Sequence, residues 1–260
     1  MLNCVLSGDP LSPTILFLHG FMGSSRDWKA TAVALRERFY CVAVDLPGHG
    51  ASLGLSPEDH TMEGAARSLV GLLDELGVGR ATAVGYSMGG RLALYFALRH
   101  PERCSGLFLE SASPGLDSAS ERAVRRRADE EKAQRLESGD FEEFLQDWYG
   151  QPIFASLARD EELLRKTIES RRQNEPEELA RSLRGMGTGS QPTLWGLAGL
   201  TVPTMAVAGE LDEKFVGIGR RMEAESPMVS FVSVSGVGHN VHAESPDAYN
   251  ELLQGFIESI

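Results

Sequence analysis

Six apolar runs of strand length alternate with segments of helical periodicity along most of the chain. The runs are TILFLHG (14–20), FYCVAVD (39–45), RATAVGY (80–86), CSGLFLES (104–111), VPTMAVAGE (202–210) and MVSFVSVSG (228–236). Most lack the apolar–polar alternation of a half-exposed sheet, the pattern of parallel strands covered on both faces. Between them, residues 25–38, 61–77, 87–100, 213–225 and 245–259 place apolar side chains at helical spacing. This β-α-β-α rhythm predicts an α/β fold, a mostly parallel sheet flanked by helices. A chain of 260 residues with 42% hydrophobic content can bury one core of that kind, so 1–260 reads as a single domain. Only about a dozen residues precede the first strong run, so any antiparallel lead-in strand must be short.

The rhythm breaks once. Residues 117–185 contain no convincing strand, but several helical patterns and 13 of the 25 lysines and arginines. A helical excursion after the strand ending near residue 111 suggests a cap at about 117–185 over a core made of 1–116 and 186–260. Loops at the carboxyl ends of strands are where open α/β sheets bind ligands. The plainer alternative is a solvated insertion whose arginines pair with its own glutamates and aspartates.

A net charge of −12 speaks against nucleic acid as a partner. The apolar runs are too short for membrane insertion, and MLNCVLSGDP lacks the basic start and apolar stretch of a signal peptide, so a cytoplasmic location is expected. Cys4, Cys41 and Cys104 are odd in number and widely spaced, which reads as reduced, mostly buried thiols. Neither metal-ligand spacing nor a phosphate-binding glycine loop occurs, and no cofactor is expected.

Gly85-Tyr86-Ser87-Met88-Gly89 follows a strand run and opens a helical one, the context of a nucleophile elbow. There the serine sits in strained backbone that needs small neighbours, and the Met88 amide at the helix start is one oxyanion donor. A serine in a glycine-rich turn can also merely cap a helix. Other pieces favour the elbow. His19-Gly20-Phe21 follows the first strong strand, where the Phe21 amide would be the second donor. Asp212 follows the strand run 202–210, and His239 comes one helix and one strand later. The order Ser87, Asp212, His239 is that of the α/β-hydrolases. Glu210 competes as the acid. Asp45 reads as a turn former in DLPGHGAS, and His49 and His242 read as acidic-loop neighbours or surface residues, with no chemical role evident for His60 or His100.

LHGFMGSSRDW (18–28), DLPGHGAS (45–52), GYSMGGRLALY (85–95), GELDEKF (209–215) and GHNVHAESP (238–246) resemble, within the α/β-hydrolase superfamily, the 2-succinyl-6-hydroxy-2,4-cyclohexadiene-1-carboxylate synthases of menaquinone and phylloquinone biosynthesis. ESASPGL (110–116) and DWYGQPIFASL (147–157) extend the likeness over nearly the whole chain. The resemblance implies an α/β-hydrolase fold and a lyase that eliminates pyruvate from a succinyl-enolpyruvyl-hydroxycyclohexene carboxylate. Ser87 would serve as base through His239 and Asp212, with the Phe21 and Met88 amides receiving negative charge. Such a substrate is a small tricarboxylate and calls for cations. Arg91, one helical turn beyond Ser87, fits at the pocket floor. By the family's motifs Arg125 and Arg171 are the cap's substrate arginines, although Arg122, Arg126, Arg127 and Arg172 lie close by in sequence. Tyr86, Trp148 and Tyr149 would shape the pocket. Lys214 sits near the acid loop or pairs with Asp212 or Glu213. The same constellation also permits a serine hydrolase of small carboxylate esters, thioesters or carbon–carbon bonds, and less readily a catalytically silent ligand receptor.

Overall fold

The computed structural model describes residues 1–197 and 199–260. Its strands are β1 (Cys4–Ser7), β2 (Thr14–Leu18), β3 (Tyr40–Val44), β4 (Ala81–Tyr86), β5 (Cys104–Glu110), β6 (Thr204–Gly209) and β7 (Val229–Val234). They form one sheet in the order β1-β3-β2-β4-β5-β6-β7. β1, the short lead-in, runs antiparallel to β3, and every other pairing is parallel. Each of the six apolar runs contains one strand. β7 departs from the expected double burial, because as an edge strand it leaves Ser230 and Ser233 exposed.

The helices are α1 (Lys29–Leu35), α2 (Met62–Glu75), α3 (Met88–Arg99), α4 (Ala119–Ser138), α5 (Phe141–Tyr149), α6 (Glu161–Arg171), α7 (Pro176–Met186), α8 (Glu213–Glu225), α9 (Val241–Glu244) and α10 (Pro246–Glu258). Strand periodicity assigns them to faces. Leu16 and Leu18 of β2 point into a cluster with Leu69 and Leu73 of α2, Leu92 and Phe96 of α3, and Met222 of α8. Ile15 and Phe17 point the other way, toward Trp28, Leu35 of α1 and Tyr249, Leu253 and Phe256 of α10. Alternate side chains of one strand therefore serve two cores. Each fully buried Leu or Phe contributes about 1.5–3 kcal/mol, enough to fix the register of both faces.

α4 to α7 lie between β5 and β6 in the chain and carry a third cluster, with Ala133, Leu136, Leu145, Ile168 and Leu183. Met22, from the loop after β2, joins it. Polar ties reinforce that junction: Asn174 Nδ2 donates to the Met22 carbonyl at 2.8 Å, and Arg171 bonds Asp27 at 2.7 Å. The helical segment is thus anchored on the loop leaving β2. Its arginines do pair widely with acidic residues, as Arg184 does with Glu130 and Glu137 and Arg172 with Glu142.

The chain runs outward from β2 to β3, then returns to place β4 on the opposite side of β2. The carboxyl ends of β2 and β4 therefore flank the crevice where open α/β sheets bind ligands. α3 starts there and packs unusually tightly. A Cβ on Gly89 would lie 2.2 Å from the Leu18 carbonyl oxygen and 2.5 Å from that of His19. Gly89→Ala should cost about 1–3 kcal/mol through overpacking, a fall in Tm of roughly 2–12 °C by thermal denaturation. Gly71→Ala on the exposed face of α2, where a Cβ meets nothing within 4 Å, should leave Tm unchanged or raise it.

Candidate active site

Between the last residue of β4 and the first of α3, Ser87 has φ +51° and ψ −107°. A non-glycine residue at positive φ is strained by about 1–3 kcal/mol unless its surroundings impose it. Here they do. The Ser87 amide donates to the Glu110 carbonyl at 2.9 Å, and its own carbonyl accepts the Arg91 amide at 3.0 Å. The flanking glycines admit the turn for a reason the motif alone does not give. A Cβ on Gly85 would meet Gly89 and Gly90 at 2.5–2.6 Å, and one on Gly89 would meet the end of β2, so the clashes lie across the turn rather than with the serine. The Ser87 side chain makes no capping bond to α3. That disposes of the helix-cap alternative.

His239 Nε2 lies 3.2 Å from Ser87 Oγ, and its Nδ1 lies 2.6 Å from Asp212 Oδ2. With Nδ1–H donating to the carboxylate, Nε2 is left to accept the serine proton. Asp212 caps α8 by accepting from the Phe215 amide at 3.4 Å, which orients its other oxygen toward the histidine. Glu210 is exposed and accepts from the Gly236 amide, so it staples the β6 and β7 loops and is not the acid partner. Glu244, which sequence reasoning passed over, accepts from the Gly238 amide at 3.0 Å and the Asn240 amide at 3.3 Å. It clamps the backbone on both sides of His239.

Asp45 accepts from the Ser25 and Ala51 amides and from Asn3, the turn-forming role its motif suggests. His49 and His242 are not surface residues. His49 is wholly buried beside His19, ring centroids 5.0 Å apart, and His242 stacks on Trp28 at 4.5 Å while bonding Glu110. Buried His19 accepts from the Leu46 amide at 3.0 Å, tying the loop after β2 to the one after β3. That tie, the positive φ of Met22 (62°) and the Asn174 bond to its carbonyl hold the Phe21 amide in place. Among the described residues neither the Phe21 nor the Met88 amide donates to a protein acceptor. Two free N–H groups beside a serine–histidine pair can receive charge on a substrate oxygen.

A cavity of about 920 Å³ opens over this group, bordered by Phe21, Ser87, Met88, Arg91, Arg125, Trp148, Lys214 and His239 among others. Arg91 is buried on its floor. It donates to the Met186 carbonyl at 2.8 Å and to Gln191 Oε1 at 3.0 Å, both uncharged. Burial, reinforced by nearby Arg125 and only partly offset by Asp129, pulls its pKa down to about 10, so it stays charged at neutral pH, and among the described residues it makes no direct ion pair. Arg125 reaches the cavity while its Nε holds Asp129 at 2.7 Å. Lys214 forms no ion pair with Asp212 or Glu213; it lies 5.2 Å from the Phe215 ring centroid and borders the cavity.

Three residues expected at the substrate do not border the cavity. Arg171 is turned to Asp27 and to the Tyr149 hydroxyl, at 2.7 and 3.1 Å, so it ties the helical segment to the loop carrying Phe21. Tyr149 is occupied as that acceptor. Tyr86 packs under the site with its ring 5.4 Å from His239, and burial pushes its phenol pKa well above the ordinary value, keeping it neutral. The arginines were ambiguous in sequence because a guanidinium serves equally well as a latch or as a ligand.

The model of the alpha/beta hydrolase fold family matches residues 13–246. A 2-succinyl-6-hydroxy-2,4-cyclohexadiene-1-carboxylate synthase of Pectobacterium atrosepticum is 34% identical, covering 95% of each chain. The solved structure of MenH from S. aureus superposes with a TM-score of 0.95 at 32% identity, covering 100% of this chain and 99% of that one. The chain belongs to this synthase family of the α/β-hydrolase fold. The synthases share that fold with hydrolases, and a thermophilic esterase from Thermogutta terrifontis superposes with a TM-score of 0.82 at 26% identity over 99% of this chain and 93% of that one. Architecture alone therefore does not separate elimination from hydrolysis.

In this synthase-family chain the packed histidines leave a measurable trace. Burial lowers the pKa of His19 and lowers that of His49 well below its ordinary 6.5. The unfolded chain therefore binds these protons first as pH falls. The stability they contribute is complete above about 6.5 and is lost as pH drops through their depressed folded values. Urea denaturation from pH 7.5 to 5 should show stability falling below pH 6.5, and His49→Phe should flatten that slope.

Proposed function

We propose that this chain performs the reaction its family is named for, eliminating pyruvate from 2-succinyl-5-enolpyruvyl-6-hydroxy-3-cyclohexene-1-carboxylate in menaquinone or phylloquinone biosynthesis. The observation that carries the reading is Arg91, a buried cation that makes no direct ion pair among the described residues, one helical turn from Ser87 in an otherwise acidic protein. With Arg125 and Lys214 on the same cavity it makes a site for a polyanion, and the substrate carries three carboxylates. Trp148, its ring 5.1 Å from that of Phe21, supplies an apolar wall for the ring. The helical segment then acts as a cap over the core.

The most acidic ring C–H of this substrate lies next to the succinyl ketone. Ser87 Oγ takes that proton as His239 Nε2 takes the serine's, and Asp212 stabilises the imidazolium. Charge moves onto the ketone oxygen, where the Phe21 and Met88 amides each contribute about 3 kcal/mol. The electron pair then shifts through the ring double bond and breaks the carbon–oxygen bond to the enolpyruvyl group. The ring gains its second double bond, and the departing enolate takes up a proton and becomes pyruvate. Serine need form no covalent bond in this sequence.

Incubation of the protein with the enolpyruvyl substrate should release pyruvate and build a diene absorbance. Ser87→Ala and His239→Ala should lower kcat by at least about 1000-fold. Arg91→Met should reduce kcat/KM by roughly 10- to 100-fold, and Lys214→Met by about 10-fold, from lost charged hydrogen bonds. Hydrolysis of a small neutral ester should be unaffected by Lys214→Met. No pyruvate above background with wild-type protein would refute the assignment.

A further inference from the structure

Behind the reacting side chains lies a second acid–histidine pair. Glu110 ends β5, between the strand that leads to Ser87 and the strand that leads to Asp212. Its side chain is fully buried. One carboxylate oxygen accepts from the His242 backbone amide at 3.0 Å, and the other lies 2.7 Å from His242 Nδ1. The backbone carbonyl of the same residue accepts the amide of Ser87 at 2.9 Å. A single residue is therefore bonded at one end to the strained serine and at the other to His242, three residues beyond His239 in the short helix α9.

We propose that Glu110 is a positioning residue that sets the separation of Ser87 and His239, with His242 as its partner. The geometry is over-determined in the way such a role requires. His242 cannot swing away, because its ring stacks on Trp28 at 4.5 Å and meets the edge-on ring of Tyr86 at 5.0 Å. Tyr86 in turn adjoins Ser87 in the chain and contacts the His239 ring. A buried carboxylate without partners is strongly unfavourable, so the pair holds its short geometry rather than sampling others. An apolar pair of similar volume would preserve packing yet release the constraint, since buried polar partners replaced together by apolar groups of the same shape cost little stability. The hydrogen-bonded pair thus supplies direction where an apolar one supplies only volume.

This inference rests on Ser87 and His239 being the reacting pair, and its test separates the two ideas. Wild type, Glu110→Gln, His242→Asn and the double replacement Glu110→Leu/His242→Phe are compared in pyruvate release, thermal denaturation and the rate of Ser87 labelling by a fluorophosphonate. In Glu110→Gln and the double variant, kcat and the labelling rate should fall together by roughly 10- to 100-fold, the scale of an ångström-sized misplacement, with KM within about twofold. His242→Asn keeps a donor where Nδ1 stood and should recover most of the rate. Wild-type kcat in the folded double variant, or a loss confined to KM or to Tm, would overturn the proposal. Absence of labelling in wild type would instead overturn the reading of Ser87 itself.

Discussion

The site depends on how closely the start of α3 approaches the ends of β2 and β4. With glycine at 85, 89 and 90 the helix comes within van der Waals reach of strand backbone, and the connecting residue has no room for ordinary backbone angles. Ser87 is driven to φ +51°, its hydroxyl is denied a capping role, and the Met88 amide is left without a protein acceptor. The strain, about 1–3 kcal/mol, is borne by the two cores on either face of the sheet. Everything else in the site is arranged around that fixed point. His239 reaches Ser87 from one side, the Phe21 loop faces it from another, and the helical segment roofs the space between.

Electrostatics then bias this general-purpose centre toward one class of ligand. Cations elsewhere in the helical segment are largely neutralised by neighbouring carboxylates, and on the exposed surface such pairs contribute little. Arg91 differs because it is buried with neutral hydrogen-bond acceptors and no direct ion pair among the described residues, so an incoming carboxylate would supply one. A hydrolase of neutral esters gains nothing from such a residue. On the proposed function, the same Ser–His–Asp arrangement is directed toward proton removal from an anionic ring compound.

Strand alternation, the elbow, and the order of Ser87, Asp212 and His239 were legible in the sequence because each is a local pattern or a fixed succession along the chain. β1 was anticipated only as a short lead-in, since four residues carry too little periodicity to read. The roles of arginines were not legible. Arg171 and Arg125 both have arginine neighbours in sequence, and only the tertiary position of Asp27 turns the first into a latch while the second reaches the cavity. Glu110 and His242 were missed for a related reason. They lie 132 residues apart, and neither belongs to a spacing that announces chemistry. His49 and His242 were expected as acidic-loop neighbours or surface residues because polar neighbours in sequence say nothing about what packs over them.

The central claim is that Ser87 carries a proton and does not become acylated. Rapid quenching during turnover of the enolpyruvyl substrate, followed by intact-protein mass spectrometry, tests it directly. The account predicts unmodified protein at every time point while pyruvate accumulates. A substrate-derived mass on Ser87 that forms and decays at the rate of turnover would contradict it.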